Sequence, residues 1–133
     1  MGLLGKNEHQ VDKNQSVLGS FKHAYDGIVY AVVRESNMHI HLLASLLVVV
    51  AGVIFGITRV EWFICIILIG LVISLELINT AIEACVDLIT TKENPLAKVA
   101  KDVSAGAVLV ISIVAAIIGL SIFIPRLVSF LSI

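Results

Sequence analysis

Three long apolar runs separated by two short polar breaks dominate the pattern of hydrophobic and polar positions along the 133 residues. The first, LLASLLVVVAGVIFGI between His41 and Thr58, reaches the ~20 residues a helix needs to cross a bilayer if that helix begins near Glu35. The second starts at Trp62, continues through CIILIGLVISLELINTAIEACVDLI and outlasts the hydrocarbon. The third opens on Asn94-Pro95, an N-cap followed by Pro at the first helical position, and its apolar part runs to Ile124. Ahead of them, SVLGSFKHAYDGIVYAVVRES repeats Val17, Phe21, Ala24, Ile28, Ala31 and Val32 at spacings of three and four. That spacing predicts an amphipathic helix on a membrane surface or, equally from periodicity, one packed on the protein itself. The expected architecture is one all-α integral membrane domain over 16–125: a surface helix at about 16–34 and spans at about 35–58, 62–89 and 95–124. A polar tail at 1–15 precedes it. A segment at 126–133, too short to span, follows and is expected to lie at the interface or fray.

Composition supports the membrane assignment, because 59% of residues are hydrophobic and 14% charged, far from a soluble domain of this length. The net charge is −1 and the basic residues form no continuous face, which excludes a nucleic-acid partner. Cys65 and Cys85 fall on one expected helix, ~30 Å apart by helical rise, so they cannot bridge within a chain. The N-terminus lacks the pattern of a secretory signal, and Lys6 stands where a myristoylation signal wants Ser or Thr.

Charge sets an expected orientation. Lys6, Lys13, Lys22 and Arg34 precede the first span and Lys92, Lys98 and Lys101 occupy the second break region, while only Arg59 and Arg126 fall on the other side. The positive-inside bias then puts the N-terminus and the 90–102 loop in the cytoplasm, where ATP is available. Trp62 beside Glu61 is expected as an interfacial anchor on the opposite side.

The chemistry lies in LELINTAIEACVDL. From Glu76, steps of three, seven and eleven bring Asn79, Glu83 and Asp87 within ~60° of one direction, a polar stripe on the second span. An ionised carboxylate at membrane depth costs at least about 2.5–3.5 kcal/mol, so such a stripe requires metal, donors or water. One reading is that it pairs with other helices and merely holds a bundle together. The other, favoured here, is function. At the start of the third span, AKVAKDVSAGAVL gathers Lys98, Lys101 and Asp102 within about a turn, where lysine can meet phosphate or the charges can simply be solvated. Ser104, Ala105, Gly106 and Ala107 are small enough for close helix approach. Glu35 at the start of the first span can meet the stripe from another helix, and His39 and His41 read as interfacial polar residues rather than a metal pair. No GxxxxGK[ST] loop or dinucleotide fingerprint occurs, so any use of ATP does without a P-loop. Carboxylates for magnesium, lysine for phosphate charge and one carboxylate for a hydroxyl proton are all present.

LELINTAIE followed by VDL, then PLAKVAKDVSAGAVL, resembles the small bacterial diacylglycerol kinase family across Ser16 to Pro125. ESNMHIHL and LITTKENPLAK resemble its Gram-positive branch of undecaprenol kinases. The resemblance implies a homotrimeric bundle with active sites shared between chains at the cytoplasmic membrane surface, and magnesium-ATP as phosphoryl donor. It also implies Glu76 as the base for the lipid hydroxyl, Glu35 and Glu83 as magnesium ligands and Asn79 as an orienting group. Lys92, Glu93, Asn94, Lys101 and Asp102 correspond to further nucleotide contacts. Undecaprenol is the expected alcohol and diacylglycerol the alternative. An intramembrane Glu also suits a small proton-coupled transporter or channel, against which the Lys101-Asp102 pair argues.

Overall fold

The computed structural model describes residues 17–90 and 92–132. They form four helices, α1 (Val17–Arg34), α2 (Ser36–Phe55), α3 (Arg59–Ile89) and α4 (Pro95–Leu131), with no strand among the described residues. The tail at 1–15 lies outside them. α2, α3 and α4 are each long and apolar enough to cross a membrane, and most of their apolar side chains face away from the chain. This is a multi-pass membrane protein.

Local chemistry explains the helix ends. Glu35 adopts an extended backbone that separates α1 from α2. Gly56, with φ 60°, ends α2 in the left-handed conformation that glycine enters at no steric cost. Thr58 then starts α3 with a reciprocal capping box: its hydroxyl accepts from Glu61 N at 3.3 Å and its own N–H donates to Glu61 Oε2 at 2.8 Å. α3 therefore begins at Arg59 rather than at Trp62. Asn94 caps α4 as expected, accepting from Leu96 N at 2.9 Å.

Helix lengths fix the levels. The 20 residues of α2 rise ~30 Å, so Glu35 sits about one hydrocarbon thickness from the turn at 56–58. An equal climb along α3 from Arg59 ends near Ile78 and Asn79, and the 31-residue helix carries Glu83 and Asp87 beyond that depth. Along this face α3 buries Cys65, Val72, Glu76, Asn79 and Thr80, so one stripe is apolar toward the turn and polar toward the other end.

α3 and α4 pack along most of their length, with α2 set against both. Near the turn, Ile57, Cys65 and Ile122 form a buried cluster covered by Val48, Trp62, Ile118 and Phe123. The Trp62 ring lies on Gly52, where an added Cβ would come within 2.7 Å of it. Trp62 is thus turned into the bundle and half-buried rather than set outward as a lone anchor. At Gly106 an added Cβ would meet nothing within 4 Å, so of the small residues near the start of α4 only Ser104 is buried against another helix.

α4 does not end at Pro125. It continues to Leu131, although proline withholds one backbone donor and crowds the preceding turn. Contacts beyond Pro125 hold it: Arg126 Nη2 donates to Glu61 Oε2 at 2.7 Å, and the Phe130 ring meets Phe55 edge-on at 6.0 Å. Of the two expectations for this segment, an interfacial position or fraying, the fraying is corrected: it is helical to Leu131 and clasped onto α2 and α3. α1 buries Ala31 and half-buries Val32, whereas Val17, Phe21 and Ile28 stay exposed.

Candidate active site

Three helices deliver polar side chains to the end of the bundle opposite the 56–58 turn. Glu76 is 1% exposed, its Oε1 has no hydrogen-bond partner among the described residues, and its Oε2 faces His41 Nε2 of α2 at 3.9 Å. That is an ion-pair distance for a protonated imidazole, about 1 Å beyond a hydrogen bond. One turn further along, Asn79 is buried and bonded at both ends of its amide. Its Oδ1 accepts from the Ser104 hydroxyl of α4 at 2.6 Å and its Nδ2 donates to Glu83 Oε1 at 3.1 Å. Thr80, also buried, returns its hydroxyl to the Glu76 carbonyl at 3.0 Å. Glu35, half-buried at the N-cap of α2, makes no capping hydrogen bond and leaves its carboxylate free of its own helix. Of the ionisable side chains, His41 is the one that comes within 4 Å of the Glu76 carboxylate among the described residues.

Further out, Lys101 Nζ donates to Asp87 Oδ1 at 2.6 Å, joining α4 to α3, and Lys98 pairs with Asp102 along one face of α4. Asp87, left without a role by the sequence, is thus the partner of Lys101. These pairs line a cavity of about 810 Å³ whose wall also includes Lys92, Glu93 and Asn94. Five expected nucleotide contacts, Lys92, Glu93, Asn94, Lys101 and Asp102, share this one space. Glu35, Asn79 and Glu83 do not line it and belong to the deeper group around Glu76.

A second cavity, about 410 Å³, opens between α2, α3 and α4. His41 stands at one end and Phe123 at the other, with Ser45, Val72, Ser112 and Ala115 among the intervening wall. Its surface is almost wholly apolar, and Ser45 turns its hydroxyl back onto the His41 carbonyl at 2.7 Å. Sequence periodicity carried no sign of this space, because it is defined by three helices together. His41, read as an interfacial residue, joins the two environments: it faces Glu76 and lines the cavity. Its signal was the six-residue step from Glu35, which puts it deeper in the same span.

Among the described residues, no three His, Cys, Asp or Glu side chains converge into a ready-made metal cage. Glu35 and Glu83 supply hard carboxylate oxygens, the ligand type of which magnesium typically takes one or two from protein while phosphate oxygens and water complete its shell.

Comparison with known proteins shows the family of the chain. The profile of the prokaryotic diacylglycerol kinase family matches residues 22–123. An undecaprenol kinase of Bacillus subtilis (strain 168) is 44% identical over 124 residues, covering 93% of this chain and 100% of that protein. A diacylglycerol kinase of Synechocystis sp. (strain ATCC 27184 / PCC 6803 / Kazusa) is 38% identical over 127 residues, 95% of this chain and 71% of that protein. A diacylglycerol kinase of Helicobacter pylori (strain ATCC 700392 / 26695) is 34% identical over 85 residues, 64% of this chain and 66% of that protein. With a buried carboxylate held beside an apolar cavity and the family profile spanning most of the sequence, the chain belongs to the prokaryotic diacylglycerol kinase family of membrane lipid kinases.

Proposed function

We propose that this lipid kinase transfers the γ-phosphoryl group of magnesium-ATP to the hydroxyl of a membrane polyprenol, undecaprenol foremost. The observation that carries the reading is Glu76: a carboxylate 1% exposed, with one oxygen unpartnered, facing the His41 that lines an almost wholly apolar cavity. The relative named undecaprenol kinase, aligned over its whole length, supports the choice of alcohol.

In this reading the lipid alcohol lies with its tail in the cavity bounded by α2, α3 and α4 and its hydroxyl at Glu76. The nucleotide occupies the outer cavity, its phosphates directed inward past Lys101 toward Glu35 and Glu83. As the hydroxyl oxygen forms its bond to the γ-phosphorus, Glu76 Oε1 takes the hydroxyl proton. The bond from the γ-phosphorus to the β,γ-bridging oxygen breaks and ADP leaves with the electron pair. Asn79, fixed by Ser104, holds the Glu83 carboxylate in place. Glu35 and Glu83 are the carboxylates that would hold magnesium, which would neutralise charge on the phosphate oxygens. Site residues shared between chains of a homotrimer, a cytoplasmic active face and α1 lying on that membrane surface complete the reading. The exposed Val17, Phe21 and Ile28 of α1 and the seven-to-two distribution of basic residues support the last two.

The test is phosphate incorporation from labelled ATP in mixed micelles offering undecaprenol and diacylglycerol. Preferential labelling of undecaprenol is expected. Strong labelling of diacylglycerol with none of undecaprenol overturns the substrate assignment. Glu76→Gln keeps the fold and abolishes transfer; retained turnover overturns the role of Glu76.

A further inference from the structure

Glu76 has a problem that its own helix does not solve. To accept a proton it must stay ionised while buried, yet its Oε1 has no partner among the described residues and Glu83, two turns along the same helix face, is a second carboxylate. Asn79 turns its amide to Ser104 and Glu83 and Thr80 donates to the Glu76 carbonyl, so neither donates to the Glu76 carboxylate. The remaining group, His41, comes from a different helix and can donate.

We infer that His41 is the positioning residue for Glu76: its Nε2 holds Oε2, so that Oε1 stays aimed at the alcohol arriving along the apolar cavity. The inference rests on the lipid-kinase reading and adds a residue to it. Three observations support it. His41 Nε2 lies 3.9 Å from Oε2, whereas Oε1 is the oxygen without a partner. The imidazole lines the end of the cavity while its Nε2 faces Glu76, so it stands between the cavity and the carboxylate. Ser45, the next polar group of α2 along the wall, has its hydroxyl committed to the His41 carbonyl, so the imidazole is the side chain of α2 that faces Glu76. A closing movement of about 1 Å on substrate binding brings Nε2 to hydrogen-bond distance, in keeping with catalytic contacts that tighten only in the substrate complex.

The inference is tested on the full chain with His41→Ala, His41→Gln and His41→Phe, each checked for unchanged elution and helicity in detergent. Misplacing a base by an ångström costs up to about a hundredfold, so His41→Ala is expected to lower kcat by about tenfold to a hundredfold. The KM for lipid alcohol should stay within about threefold, since binding along the cavity is retained. Glutamine, which keeps a donor, restores part of kcat; phenylalanine, which keeps the bulk without a donor, does not. That split separates positioning from packing even if the alanine variant folds poorly. An unchanged kcat in His41→Ala, or a phenylalanine variant as active as the glutamine one, overturns the inference while leaving the lipid-kinase reading intact. A wild-type chain that phosphorylates no lipid alcohol overturns that reading and the inference with it.

Discussion

Ser104 of α4 donates its hydroxyl to Asn79 Oδ1 of α3 at 2.6 Å, and this one bond decides which way the Asn79 amide faces. With Oδ1 occupied, the amide nitrogen is turned to Glu83 Oε1 at 3.1 Å. Ser104→Ala removes the donor from a buried acceptor, at a cost of about 1–3 kcal/mol, and frees the amide to flip. A flipped amide presents its carbonyl to a carboxylate. Ser104→Ala is therefore expected to lower kcat by about tenfold through misplacement of Glu83, and to raise the magnesium concentration needed for half-maximal rate. Threonine, which keeps the hydroxyl, should retain most activity. A magnesium titration of the three proteins checks this, and equal curves contradict it.

The stripe itself was legible in sequence, because Glu76, Asn79 and Glu83 recur at helical spacing and charge at membrane depth is conspicuous. The Asn94 cap and the order of the helices were legible for similar reasons, each being a local pattern. Its partners were not. Nothing in the spacing of α4 distinguishes Ser104 from Ala105 as the residue that meets Asn79, since that depends on the rotation of one helix against another. His41 and Asp87 were missed in the same way: each acquires meaning from a side chain on a different helix, at separations of 35 and 14 residues along the chain. Thr58-x-x-Glu61, by contrast, is a local capping signature that places the start of α3 before Trp62.

Lys101 is paired with Asp87 at the mouth of the outer cavity, so a phosphate that engages this lysine competes with a carboxylate already there. The Asp87 side chain is largely exposed and the pair is screened by solvent, so it contributes little to folding. Asp87→Asn is expected to leave the thermal midpoint nearly unchanged and to lower the KM for ATP by freeing the lysine. Lys101→Met should raise that KM by about tenfold or more, because a charge-assisted contact to phosphate is lost. Opposite movement of the two values identifies competition. If both variants raise KM equally, the pair itself is needed for nucleotide binding.

The cavity between α2, α3 and α4 makes a separate claim, since blocking it should act on the lipid and spare the nucleotide. Ala115 lines its wall, and leucine there adds bulk to a space of about 410 Å³. Ala115→Leu is expected to raise the KM for lipid alcohol severalfold while the KM for ATP and the kcat at saturating lipid stay near wild type. Ser112 lines the same wall with a hydroxyl that has no hydrogen-bond partner among the described residues. Replacing it with alanine removes an unsatisfied polar atom and should be neutral or stabilising. Thermal denaturation in detergent and paired titrations of lipid and ATP test both statements.

Beyond Pro125 the chain closes the end of the bundle remote from Glu76. Arg126 Nη2 reaches Glu61 Oε2, which also accepts from the Thr58 backbone and hydroxyl, so one carboxylate ties the cap of α3 to α4. Phe130 adds an edge-on contact with Phe55, a type of pair worth about 0.5–1.5 kcal/mol beyond simple burial. A chain ending at Pro125 loses both and keeps every residue around Glu76. It is expected to lower the thermal midpoint in detergent by several degrees, to lose activity on heating sooner than wild type, and to show nearly normal KM values for ATP and lipid when assayed cold. Arg126→Ala should reproduce part of that loss and Phe130→Ala a further part. Since Arg126 and Phe130 meet different helices, the double variant should approach the sum of the two. A truncated chain as heat-resistant as wild type shows that the clasp contributes nothing to holding the bundle. One that is equally stable but inactive in the cold places a catalytic requirement at the wrong end of the molecule for this mechanism.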